Sequence, residues 1–141
     1  MATMINIMNT IFIINGMYDI LCSLSILHIC AHKSFPLLNI NNKYNVRNIN
    51  IPLFGNIHLS MFKYNRHQNI VMERFLAYWI FTYGMMRIFG DYQIISYSYY
   101  IESYFLFNET IYDSVYTQKT LAVILSSLLL GHIAYNMQAI K

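Results

Sequence analysis

Charge is what this chain has least of. Only 11% of its 141 residues are Asp, Glu, Lys or Arg, where an ordinary globular domain carries about 25%. A soluble surface is hard to coat with so few charges. Cysteine is nearly absent as well: Cys22 and Cys30, both in an apolar run, make no disulfide framework and read as small buried hydrophobes. No P-loop, dinucleotide fingerprint, HExxH or nucleophile elbow is present. The reading is therefore non-enzymatic, with no cofactor and no metal. Internal repeats and Pro/Gly/Ser linkers are missing too, so residues 1–141 read as one domain.

Apolar residues make up 57% of the chain, and they fall in blocks. A membrane span needs about 20 mostly apolar residues. Four blocks approach this, at about residues 5–30, 71–90, 92–112 and 120–137. The expected fold is all-α: an integral membrane four-helix bundle with a long basic loop over residues 31–70. The first block has no basic flank before it, holds Asp19 and shows no small-x-small cleavage pattern. It reads as a retained span rather than a signal peptide. Ile, Asn, Tyr, Phe and Met are frequent, which fits A/T-rich codons and a genome such as that of a large DNA virus or a protist.

Between residues 33 and 66 lie Lys33, Lys43, Arg47, Lys63 and Arg66, with no acid among them. Short loops rich in Lys and Arg stay cytosolic, and anionic lipid headgroups suffice as their partner without nucleic acid. Within the loop, Leu53 to Tyr64 reads either as an interfacial helix or hairpin with Phe54, Ile57, Met61 and Phe62 on its apolar side, or as a solvated basic segment.

Ionisable residues inside spans face a partner or a wet cavity. At about 1.5 Å per residue, Asp19 and Glu102 reach similar depths. Arg74 and Glu109 fall near the cytosolic ends of their spans. Two pairings follow: Arg74 with Glu109, and Arg87 with Glu102 or Asp19. Glu102 and Glu109 share one helix face with Ser98, and Asn15, Asp19 and Ser23 form a polar stripe. Such stripes pin helix packing; an ion pathway through Asp19 and Glu102, and a polar pocket for a lipid or partner helix, are the alternatives. His28 and His32 stand four apart but lack further ligands at metal spacing. His132 and His28 differ in depth, which argues against a shared haem. The Asn108–Thr110 sequon lies within a span and reads as chance.

The spacing of Arg74, Trp79 and Arg87 resembles the second hydrophobic segment of the eukaryotic ergosterol-biosynthesis scaffold family, and Tyr100 to Glu109 resembles its polar third span. The loop here is longer and more basic than that family's. The resemblance implies four spans in the endoplasmic reticulum and a non-catalytic scaffold that gathers sterol-modifying enzymes, with Trp79 as an aromatic anchor. The codon bias points instead to a virus-associated internal membrane. Either setting implies a membrane-protein partner or a homo-oligomer. A reporter inserted at residue 45 is expected on the cytosolic side, with reporters at both termini on the opposite side; a loop reporter on the outer side would reverse this topology.

Overall fold

A computed structural model describes residues 2–34, 60–63 and 70–139. The fold is all-α, with four helices: α1 (Ala2–Ser34), α2 (Ile70–Phe89), α3 (Tyr92–Ile111) and α4 (Thr117–Ala139). α1 is longer at both ends than the block that announced it, and α4 likewise. Two helices, α1 over Thr3–Leu27 and α4, are long and apolar enough to cross a membrane. α2 and α3 are each 20 residues, about 30 Å long.

The polarity of the helices is inverted relative to a soluble bundle. On α1, Met4, Ile7, Ile11, Ile14, Met17, Leu21 and Leu24 are exposed at three- and four-residue steps. The opposite stripe of Gly16, Asp19 and Ser23 is buried. On α4 the buried positions are Thr120, Ile124, Ser127, Gly131, Ala134 and Met137, mostly small, while Leu121, Leu125, Leu128 and Leu129 point outward. Exposed hydroxyls bond back to their own helices: Thr10 Oγ1 donates to Asn6 O at 2.9 Å, Thr82 Oγ1 to Tyr78 O at 2.9 Å, and Ser126 Oγ to Val123 O at 3.0 Å.

Packing runs in two antiparallel pairs. α1 lies closely along α2, and α3 along α4, while α2 and α3 touch far less. The α1–α2 crossing is set by Gly16 and Gly84. A Cβ on Gly84 would lie 2.7 Å from Gly16 O, and one on Gly16 would lie 2.8 Å from Gly84 O. The backbones therefore meet directly, as small residues permit. Beyond this crossing Cys22 and Ile26 pack on Ala77 and Ile80. A second apolar cluster joins Phe12 of α1, Ile95 and Tyr99 of α3, and Ala134 and Met137 of α4.

The connections are short where they are described. Asp91 caps α3, its Oδ1 accepting from Ile94 N at 2.9 Å. Asp113, with φ of 55°, takes the left-handed conformation that ends α3. The far end of the long loop is pinned on this turn. Phe62 bridges to Val115, Lys63 N donates to Ser114 O at 2.9 Å, and Tyr116 N donates to Met61 O at 2.7 Å. Met61, buried, lies in a turn and Phe62 makes a single bridge; of the expected interfacial helix or hairpin, no helix forms at these two residues. Leu53 to Ile57 lie outside the described residues.

Gly84→Ala is expected to force the α1–α2 pair apart and cost about 1–3 kcal/mol, the usual penalty of overpacking. Detergent-solubilised unfolding, followed by helix content, measures it. Gly90→Ala, outside the crossing, should leave this pair in place, as judged by cross-linking of α1 to α2.

Candidate functional site

The inward stripe of α2 is Glu73, Ala77, Ile80, Gly84 and Arg87, spaced four, three, four and three apart. This periodicity carries Arg87 into the centre, where it is 1% exposed. Its guanidinium reaches two acids at once. Nη1 donates to Asp19 Oδ2 on α1 at 2.5 Å, and Nη2 donates to Glu102 Oε2 on α3 at 2.6 Å. Nε donates to Ser98 Oγ at 3.3 Å, which itself donates to Ile95 O at 2.7 Å. The plane lies over the Tyr99 ring, 3.9 Å from its centroid. α4 joins through Ser127 Oγ, which donates to Glu102 Oε2 at 2.7 Å. All four helices therefore end on one cation and its partners.

The Gly16–Gly84 crossing is what makes the geometry. Asp19 and Arg87 each stand three residues after a crossing glycine. Gly84 faces Asp19 Cβ and Gly16 faces Arg87 Cβ, so the two charges meet where the backbones are closest. Asn15, one turn before Asp19, donates from Nδ2 to Tyr99 Oη at 2.8 Å and holds the ring beneath the guanidinium. Ser23, the third member of the polar stripe, is buried without a hydrogen-bond partner. A cleft of about 260 Å³ approaches Arg87 from the α2–α3 turn, with Asn9, Asp91 and Tyr92 on its walls.

The pairing expected between Arg87 and Glu102 or Asp19 forms with both acids. The pairing expected between Arg74 and Glu109 does not form. One residue on a helix is a rotation of about 100°; Glu73 takes the buried position and Arg74 is exposed. Glu109 instead accepts from Ser114 Oγ in the turn after α3. Glu73, fully buried, went unnoticed in the sequence, although its four-residue step to Ala77 and seven to Ile80 was the available signal.

Trp79, expected as an aromatic anchor, is exposed. It sits at mid-length of α2, edge-on to Tyr83 with centroids 5.6 Å apart and 6.1 Å from Phe105. Arg74, Trp79 and Arg87 thus occupy three different settings: exposed, cleft-lining and buried. Lys63 is exposed, pairs with Asp113 and lies 5.8 Å over the Tyr116 ring. The side chain of Lys33, and Lys43, Arg47 and Arg66 altogether, lie outside the described residues, as do the His28 and His32 side chains. His132 is exposed on α4, and no three metal-ligating side chains cluster among the described residues. Asn108 and Thr110 are in the last turn of α3.

Comparison with protein-family models, curated proteins and solved structures yields no match.

Removing one partner of a buried ion pair strands the others and costs about 3–5 kcal/mol. Arg87→Met is expected to lose about that much in detergent unfolding. Adding Asp19→Asn and Glu102→Gln to it should restore most of the loss, since no unpaired charge is then buried.

Proposed function

We propose that this chain is a four-span integral membrane protein with a non-catalytic role, acting as a scaffold or structural component through helix–helix and lipid contacts. The observation that carries this is the inverted polarity of all four helices. Large apolar side chains such as Ile14, Phe75, Tyr104 and Leu129 cover the outside, while Asp19, Glu73 and Arg87 are inside. α2 and α3 carry inward polar groups and many tyrosines, and of their charged side chains Glu73 and Arg87 are buried while Arg74 is exposed. Arg74, five residues into α2, is close enough to the helix end for its long side chain to snorkel to the interface.

The state of the acids favours a structural role over conduction. Asp19 and Glu102 are bound to the same guanidinium, which fixes the helices against one another and offers no free acid pair for a passing ion. The setting we propose is an internal membrane, of the endoplasmic reticulum or virus-associated, with anionic lipid headgroups beside the basic segment and a membrane-protein partner or a second copy on the apolar faces.

The chain is expected to stay in the membrane fraction through alkaline carbonate washing. Purified into proteoliposomes, it should give no cation or proton flux above that of empty vesicles, and Asp19→Asn and Glu102→Gln should leave that level unchanged. Flux that is present in the parent and lost in both variants would replace the structural reading with a transport one.

A further inference from the structure

The sparse contact between α2 and α3 leaves a lateral cleft of about 630 Å³, within the 300–1,000 Å³ usual for small-molecule sites. Its walls are Met72, Phe75, Leu76 and Trp79 of α2 and Phe105 of α3, with Lys63, Glu109 and Ser114 at the rim. An inner recess of about 30 Å³ shares Phe62, Leu76, Trp79 and Phe105 with this cleft and ends at Tyr83 and Glu102. From Met72 to Tyr83 the run along α2 is about 16 Å.

Two features say what the cleft takes. Tyr83 is 5% exposed, and apart from the neighbouring Trp79 indole N–H its hydroxyl meets no partner, so its own proton has no acceptor. Leaving such a group buried and unmatched is costly. Both hydrogen bonds that Glu102 accepts end on Oε2, which leaves Oε1 for a donor. Both residues line the recess, which therefore offers one donor, Tyr83 Oη, and one acceptor, Glu102 Oε1. A hydroxyl group accepts the first and donates to the second. The charged residues that line the cleft and recess are already engaged: Lys63 with Asp113, Glu109 with Ser114, and Glu102 with Arg87. Among the described lining residues no cation is left for a phosphate or carboxylate headgroup.

We propose that this cleft binds a neutral lipid bearing a hydroxyl group, inserted with the hydroxyl at Tyr83 and Glu102 and the apolar body along Phe75, Leu76, Trp79 and Phe105. Apolar surface supplies most of the attraction, and the hydroxyl contacts select the class.

Trp79, the one tryptophan of the chain, reports occupancy directly. The full chain in phosphatidylcholine nanodiscs is titrated with a long-chain alcohol brominated in its tail, with the methyl ether of that alcohol, and with the fatty acid of equal length. The alcohol is expected to quench Trp79 fluorescence saturably, at a concentration about threefold to tenfold lower than the ether or the acid, the range of one or two net hydrogen bonds. Tyr83→Phe, which removes only the hydroxyl, should erase that preference while helix content stays unchanged. Equal quenching by alcohol and ether would mean partition into the bilayer, and overturns the proposal. Tighter binding of the acid overturns it, as does a preference that survives Tyr83→Phe. Non-saturable quenching by all three probes, as expected if the recess holds only a water, also overturns it.

Discussion

A buried guanidinium cannot stand alone. Moving one charge out of water costs several kcal/mol even after relaxation, and only close, well-aligned counter-charges offset it. Arg87 imposes this condition on the whole molecule. Its fork can satisfy two carboxylates only if α1 and α3 are both within reach, and the second carboxylate draws in Ser127 of α4. Each helix is held at a defined depth and rotation by one arginine side chain. Apolar contacts alone would not do this, because Ile and Leu faces slide past one another at little cost. The polar node therefore sets register, and the clusters around Phe12 and Ile26 fill the space that register leaves.

Parts of this arrangement were legible in the sequence. Counting residues along each helix gave Asp19, Arg87 and Glu102 compatible depths, and they meet. The same count failed for Arg74 and Glu109 because depth says nothing about rotation. Glu73 and Arg74 are neighbours in depth and about 100° apart around the axis, and the buried stripe through Ala77, Ile80 and Gly84 decides between them. The crossing glycines were missed, although a chain with only five glycines places two of them three residues before the paired charges. Ser127 was also missed, since a serine among leucines carries no directional signal until its neighbour is known. The contacts of the loop end at Met61 to Lys63 were not foreseen because the partners, Ser114 and Asp113, lie 50 or more residues away.

Averages along a helix and faces around it give different answers here. α1 and α4 are apolar enough by average to cross a bilayer; α2 and α3 fall short by average. Their outward side chains nonetheless include large apolar ones, among them Phe75, Phe81, Phe89, Ile101 and Phe107. Part of the polar share of α2 and α3 is spent on Glu73, Arg87, Ser98 and Glu102, which meet protein, while Arg74 and Gln93 are exposed.

The Gly16–Gly84 crossing also divides the ion network unequally between the two helix pairs. At this level the α1–α2 pair holds one cation and one anion, Arg87 and Asp19, and is neutral by itself. The α3–α4 pair holds Glu102 without a cation of its own at that depth. On the four-span reading, the first two helices leave the ribosome as a self-neutralising hairpin that can settle in lipid unaided. The second pair brings an acid that becomes tolerable only when it docks on Arg87. Assembly then has a direction: the first hairpin is the template, and the second is admitted by it.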